Sequence, residues 1–283
     1  LVMNSNQSGT LYVVATPIGN LGDMVPRAVE ILQSVRAIAC EDTRHSKKLL
    51  DHFRIDTPLM AYHDHSDKKS SHKILVQLNG GNDVALISDA GTPLISDPGY
   101  RLVLAARQQG ISVIPIPGAC AAIAALSVAG LPTDRFRFVG FLPAKSTQRK
   151  KVLQELAAVP ETMVFYEAPH RILDTLKDSV EVFGSEHSGF IARELSKTFE
   201  TYLHGTLEEL VNIVAADSNQ QRGEIVLVLA GREETESTVT VDGERVLRLL
   251  LAELPTAKAA ALTAKITGGD KKQFYQMALA LKD

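Results

Sequence analysis

Two cysteines are all that this chain of 283 residues contains. Cys40 and Cys120 lie far apart in apolar surroundings and share no CxxC spacing. That excludes a disulfide framework and a zinc ribbon, and it leaves reduced core thiols. No apolar run approaches the roughly 20 residues of a membrane span. The polar start (Asn4, Ser5, Asn6, Gln7, Ser8) has no apolar core of a signal peptide, so a cytoplasmic protein is expected. Charge of one sign is also missing, with 30 Lys+Arg against 33 Asp+Glu and a net charge of -3. This excludes a chain-wide nucleic-acid surface and leaves room for a local one. His63-Asp64-His65 is the closest approach to a metal pattern, but no third and fourth ligand follow, so no metal is expected. There is no GxGxxG, no Walker loop, and no Ser-His-Asp or Cys-His order in a supporting context, which argues against dinucleotide, P-loop and hydrolase chemistry.

What is present is an ordinary globular composition, 45% hydrophobic and 22% charged, on a chain long enough for two domains. Strand-like runs at Leu11–Ala15, Ala37–Cys40, Asp83–Ser88 and Ser112–Ile116 alternate with helix-like segments at Val25–Ser34, His45–Phe53, Ser71–Asn79 and Pro98–Gln109. Such alternation predicts a mainly parallel sheet with crossover helices. Ala119–Ala129, small and apolar all round and closed by Gly130, predicts a helix packed closely against a sheet or a partner. A domain boundary is expected at Leu131–Arg135. Beyond it, strands at Phe136–Leu142, Thr162–Tyr166, Gly189–Arg193, Phe199–His204 and Gly223–Ala230 alternate with helices at Thr147–Ala158, His170–Phe183 and Leu207–Asp217. They predict a second α/β domain with antiparallel pairs. The expected domains are therefore 10–130 and 135–231, followed by a polar linker (Glu233–Thr240) and a helical tail, 241–283. The tail is expected as three helices, Gly243–Glu253, Ala257–Thr267 and Lys271–Ala280, with Ala261, Leu262, Ile266, Phe274, Met277 and Leu281 fitting a helix-turn-helix hairpin of the last two around Gly268-Gly269. Residues 243–283 carry seven Lys/Arg against four acids, so that segment is +3 while the remainder is -6. Lys258, Lys265, Lys271 and Lys272 on an exposed face would suit phosphates, or simply water.

The chemistry-bearing residues cluster at strand ends. Ser88-Asp89-Ala90-Gly91-Thr92-Pro93-Leu94-Ile95-Ser96-Asp97-Pro98-Gly99 follows a strand, and a Gly-lined loop there lets a ligand approach the backbone. Asp89 is the expected functional carboxylate of this loop, whereas Asp97-Pro98 reads as a helix N-cap with a first-turn proline. Thr16-Pro17-Ile18-Gly19-Asn20-Leu21-Gly22-Asp23 closes the first strand, with Asp23 read as a cap. Glu41-Asp42-Thr43-Arg44-His45 closes the second, with an N-cap at Asp42 or Thr43. In the second half, Phe165–Arg171 (FYEAPHR), Ala192–Lys197 (ARELSK) and Arg222-Gly223-Glu224 load strand ends with Glu, His, Arg and Lys, a natural arrangement for gripping a polar or phosphate-bearing ligand.

Taken together, YVVATPIGNLGD (Tyr12–Asp23), EDTRH (Glu41–His45), His63–His65, SDAGTPLISDPGY (Ser88–Tyr100), PIPGACA (Pro115–Ala121), GFLPAK (Gly140–Lys145) and the second-half blocks, with GEIVLVL (Gly223–Leu229), resemble the tetrapyrrole-methylase-like (class III) methyltransferases. The resemblance is strongest to their ribosomal RNA-modifying branch and covers residues 10–230 and the tail. It implies two α/β domains of that type with the active cleft between them, plus a small C-terminal helical tail. It further implies methyl transfer from S-adenosyl-L-methionine to the ribose 2′-oxygen of a cytidine in 16S rRNA, free or in the small ribosomal subunit, by a homodimer. The cofactor residues it implies are Pro17, Gly19, Asp89, Gly91, Thr92, Pro93, Cys120 and Ala121. The first loop and Ser88-Asp89-Ala90-Gly91 depart from the Gly-rich and Gly-Asp-Pro loops of tetrapyrrole-acting members.

Methyl transfer from a sulfonium needs an aligned acceptor and a base or cation that favours the alkoxide. Glu167, Glu194 and Lys197 are the candidates placed nearest the acceptor, and Arg44, His63, His170, Arg171 and Arg193 are the candidate substrate grips. Two other readings stay open. A methylase of a small tetrapyrrole precursor would not need the basic tail, and a non-enzymatic ribosome-assembly RNA-binding protein would not bind S-adenosylmethionine.

Overall fold

The computed structural model describes residues 8–63, 68–232 and 241–281. The chain divides into two compact units after Gly231. The larger unit holds two five-stranded sheets. The first comprises β1 (Thr10–Val14), β2 (Ala37–Cys40), β3 (Leu59–Ala61), β4 (Val84–Leu86) and β5 (Ser112–Ile116), all parallel in the order β3-β2-β4-β1-β5. Helices α1 (Pro26–Ser34), α2 (Thr43–His52), α3 (Lys68–Asn79) and α4 (Tyr100–Gln108) make the crossovers. Strands β2 and β4 are buried along their whole length, as apolar runs between two helical layers must be. Pro115 cannot donate to a ladder, and β5 is accordingly an edge strand. The three-residue β3 at the other edge escapes the sequence reading because it is short and only half-buried.

The second sheet comprises β6 (Phe136–Phe141), β7 (Thr162–Glu167), β8 (Ser188–Arg193), β9 (Thr201–Thr206) and β10 (Ile225–Leu229), in the order β6-β7-β10-β8-β9. Only β6 and β7 are parallel; the other pairs are antiparallel. The central strand β10, IVLVL, is buried at every residue. Helices α6 (Ser146–Leu156), α7 (Ile172–Phe183) and α8 (Leu207–Ala216) cover one face. A buried ion pair, Arg149 Nε to Asp178 Oδ2 at 2.7 Å, joins α6 to α7. Thr206 and Glu209 start α8 with a reciprocal capping box. The other face is covered by α5 (Ala121–Val128), whose Ala122, Ala125 and Leu126 pack on Val164, Phe190, Ala192, Val226 and Val228. The small residues expected to allow close packing therefore meet the second sheet, although α5 follows the last strand of the first.

The smaller unit contains α9 (Val241–Glu253), α10 (Thr256–Thr267) and α11 (Lys271–Ala280). Gly268 (φ 75°) ends α10, and Asp270 caps α11 by accepting the N–H groups of Lys272 and Gln273. The core is Leu247, Ala259, Ala260, Phe274 and Ala278, with Met277 and Leu281 against it. The expected core positions Leu262 and Ile266 are exposed instead. Packing against α9 turns the Ala259–Ala260–Thr263 face of α10 inward, which reading a two-helix hairpin in isolation missed.

Candidate active site

In the first sheet, β1 connects towards β2 on one side and β4 towards β5 on the other, so the crevice at their carboxyl ends is the topological switch point. The loops leaving these two strands are stitched there. Thr16 and Gly91 exchange both backbone hydrogen bonds, at 2.9 and 3.1 Å, and the buried Thr16 hydroxyl donates to the Ser88 carbonyl at 3.3 Å. Gly91 has φ 80°, a conformation that favours glycine, and a Cβ there would crowd Ile18 Cγ2 at 3.2 Å. Thr92 Oγ1 donates to the Ala119 carbonyl at 2.9 Å, which ties in the loop before α5. These three loops form one wall of a cavity of about 380 Å³, through Ile18, Gly91, Thr92, Cys120 and Ala121. The opposite wall, from the second sheet and its loops, includes Phe141, Tyr166, Ala168, Leu195, Glu224 and Ile225. Tyr166 accepts the Ala122 N–H at the start of α5, and burial pushes its phenol up to about 12.

Asp97 also lines this cavity and does not cap α4. The N-cap of α4 is Gly99, and no side chain caps the helix. Left-handed Leu94 (φ 73°) and Ser96 (φ 66°), with Gly99 at φ 139°, bend the loop away from the path a simple Asp-Pro cap would take. Burial pushes the Asp97 carboxyl up to about 6, against the Ser88 hydroxyl, with Glu41 and Asp89 adding repulsion. Among the described residues it makes no ion pair. Asp89 is absent from the cavity wall; it is half-buried and accepts the Asp42 N–H at 3.4 Å. The two carboxylates of this loop thus take places opposite to those expected. Asp23 does not cap α1 either: it closes a 3-10 turn and accepts the Ser196 hydroxyl from the second half. Asp42 does cap α2, accepting the N–H groups of Arg44 and His45.

Of the other expected cofactor residues, Gly91, Thr92, Cys120 and Ala121 line the cavity, while Pro17 and Pro93 are buried and do not. Gly19 lies under the Lys197 side chain, so close that a Cβ would be 2.4 Å from Lys197 Cγ. Glu167 reaches the cavity, but its carboxylate is fully engaged. It accepts from Arg171 (2.6 Å), Thr175 Oγ1 (2.7 Å) and its neighbour's N–H, Ala168 (2.7 Å). Lys197 Nζ bridges Glu194 Oε1 (2.9 Å) and Glu224 Oε2 (3.1 Å). Burial acts to raise the Glu194 carboxyl, but the Lys197 ammonium and the Glu224 N–H outweigh it and hold the group below its ordinary range. Burial likewise opposes the charge on Lys197, and its two carboxylate partners raise its pKa above the usual lysine value. Arg193 is buried, with its guanidinium on the carbonyls of Phe199 and Arg222. Arg44, His63 and His170 are exposed and stand outside the cavity wall. Asp64 and His65 lie outside the described residues. Among the described residues no cluster of His, Cys, Asp and Glu could hold a metal.

Sequence comparison matches residues 10–211 to the tetrapyrrole (corrin/porphyrin) methylases and residues 237–282 to the RsmI C-terminal HTH domain. The chain is 57% identical to the ribosomal RNA small subunit methyltransferase I of Pseudomonas aeruginosa, over 96% of this chain and 97% of the relative. It is 51% identical to the enzyme of the same name from Escherichia coli O157:H7, over 97% and 96%. Among solved structures, uroporphyrin-III-C-methyltransferase from Thermus thermophilus shares the fold, with a TM-score of 0.55 and 19% identity over 78% of this chain and 94% of that one.

Proposed function

We propose, for a chain that belongs to the tetrapyrrole (corrin/porphyrin) methylase family and is therefore a methyltransferase, that its cavity binds S-adenosyl-L-methionine and its acceptor is small-subunit ribosomal RNA. The observation that carries the cofactor assignment is Asp97, a carboxylate without a cation partner among the described residues, on a cavity wall that is largely apolar. A cationic ligand completes that half of an ion pair, and about 380 Å³ suits a small molecule. Gly91, Thr92, Cys120 and Ala121 would hold the remainder of the molecule against backbone. When bound, S-adenosylmethionine supplies an electrophilic methyl group on sulfur. The chain's own contribution is then to seat the acceptor oxygen on axis, which supplies roughly 7 kcal/mol or more. Of the Glu194–Lys197–Glu224 cluster, Glu224 reaches the cavity wall; in this reading the Lys197 ammonium would favour a developing alkoxide and Glu224 would take the proton. Glu167, saturated by Arg171 and Thr175, holds the strand end that carries Ala168 and Tyr166 to the cavity.

The finer reading is 2′-O-methylation of a cytidine in 16S rRNA by a cytoplasmic homodimer. The near-full-length relatives named for the small subunit support the RNA acceptor. The match of the basic tail to an HTH domain supports it over a small tetrapyrrole. Exposed apolar side chains such as Ile114, Ile123 and Val128 are consistent with a self-association surface. No helix among the described residues is long and apolar enough to cross a membrane. The test is transfer of labelled methyl to small subunits from cells lacking this protein, followed by nucleoside digestion. Label in a 2′-O-methylcytidine is expected; label in a precorrin alone, or no S-adenosylmethionine binding, would overturn the reading.

A further inference from the structure

Phe199 is the most exposed large apolar side chain among the described residues, at 72%, yet its backbone carbonyl accepts two side-chain hydrogen bonds. Its carbonyl accepts from Arg193 Nη2 at 2.9 Å and from Thr201 Oγ1 at 3.0 Å. Among the described residues Arg193 is a buried guanidinium with no carboxylate on it; Nη2 also donates to Thr201 Oγ1 at 2.9 Å, the other terminal nitrogen donates to the Arg222 carbonyl at 3.4 Å, and Nε has no partner. Burying a guanidinium against carbonyls is costly, and here its effect is to clamp two loops, 194–200 and 222–224, to one another. Further ties join the same loops: Glu194 and Glu224 exchange backbone and side-chain hydrogen bonds at 2.8 Å. Within the first loop the Ser196 N–H donates to the Glu200 carboxylate, and left-handed Glu194 (φ 53°) and Ser196 (φ 66°) set its path. Leu195, Gly223 and Glu224 from these loops form part of the cavity wall. The clamp therefore presents one aromatic ring and one exposed arginine, Arg222, on loops that continue into the cavity. Arg222 makes no ion pair among the described residues.

We propose that Phe199 is the platform on which a base of the single-stranded acceptor RNA stacks, with Arg222 taking a neighbouring phosphate and Arg193 acting as the positioning residue for both. This deepens the RNA reading given above and rests on it. A flat ring held in water by a rigid loop is the arrangement that splayed-out bases use in RNA recognition, and a cation beside it supplies the backbone contact. In-line attack needs the acceptor ribose held on axis, and a stacking surface for a base beside the cavity fixes the strand that carries it.

The chain has no tryptophan, so Phe199→Trp in the full-length protein creates a single fluorescent reporter. Its emission is expected to be quenched on titration with a cytidine-containing single-stranded oligoribonucleotide and to be indifferent to protein concentration alone. Phe199→Ala should raise KM for small subunits roughly 5- to 100-fold, the range of base–aromatic stacking. S-adenosylmethionine affinity and thermal stability should stay the same, and Phe199→Tyr should restore KM. Arg222→Ala should lower the salt dependence of RNA binding by about one unit of slope. If the wild-type protein methylates RNA and Phe199→Ala does so with unchanged KM, this proposal alone falls. Quenching by raised protein concentration without RNA would overturn it in favour of a second protein chain on the ring. If the wild type neither binds nor methylates RNA, the functional reading falls and takes this proposal with it.

Discussion

Asp97 shows how much one side chain's surroundings matter. Its carboxyl is raised above the unfolded value of 3.8 to about 6, so the native state without ligand holds its proton more tightly than the unfolded chain does. That contribution to stability is present at low pH and is lost as pH rises through about 6, beyond which the ionised carboxylate is a standing penalty. Asp97→Asn should therefore raise the Tm of the ligand-free protein at pH 8 and leave it nearly unchanged near pH 4. The same substitution should weaken S-adenosylmethionine about tenfold or more by calorimetry, because a charge-assisted contact is lost. A variant that is stabler and binds less is the signature expected of a group kept for function. Unchanged affinity would remove Asp97 from the cofactor site. Glu167 is the opposite case: with Arg171 and Thr175 on a buried carboxylate, Glu167→Ala should cost about 3 kcal/mol in denaturant unfolding by stranding the arginine.

At the scale of elements, the second-half strand ends depend on glycine at one close approach. Gly223 has φ 78°, and a Cβ there would sit 2.4 Å from Glu194 Cδ, which is itself pinned by Lys197. Gly223→Ala should cost upwards of about 1 kcal/mol in a thermal melt. It should also return the Lys197 pKa towards the ordinary lysine value, by separating the ammonium from Glu194. Retention of both stability and lysine titration would show that the loop yields freely. Helix α5 carries a second lesson. Its composition, apolar all round, requires burial on more than one side. Its N-terminus helps to form the cavity wall through Ala121 while its body packs on the second sheet. One element thereby couples the loops of the first sheet to the strands of the second.

For the whole molecule, the uneven charge becomes a prediction about the acceptor. Residues 241–283 are +2 and the remainder -5, so removal of residues 241–283 should weaken RNA binding most at low salt and leave S-adenosylmethionine affinity unchanged. Filter binding across a salt series and calorimetry check the two halves of that statement. Equal RNA affinity of the truncated protein would assign the three helices to structure alone. Inside the tail, Asp270 caps α11 at the turn that brings Lys271 and Lys272 to its first residues, and both lysines are exposed.

Strand and helix periodicity, the parallel first sheet and the mixed second one were legible in the sequence, because local hydrophobic alternation and Gly/Pro punctuation are properties of short segments. β2, β5 and α11 span the residues that the pattern indicates, and the block motifs fell at strand ends. The sequence could not say which residues of a motif reach the cavity. Asp89 and Asp97 occupy the same loop and carry the same chemistry. Only the left-handed turns at Leu94 and Ser96 and the pairing of Thr16 with Gly91 decide that Asp97 enters the cavity while Asp89 turns to Asp42. Likewise Arg193 reads as a ligand grip from its place at a strand end, yet its burial commits it to two carbonyls and the Thr201 hydroxyl and leaves the grip to exposed neighbours. Side-chain direction at a loop is set by contacts between segments distant in sequence, so it belongs to the tertiary structure; the elements those loops connect are specified by the residues within them.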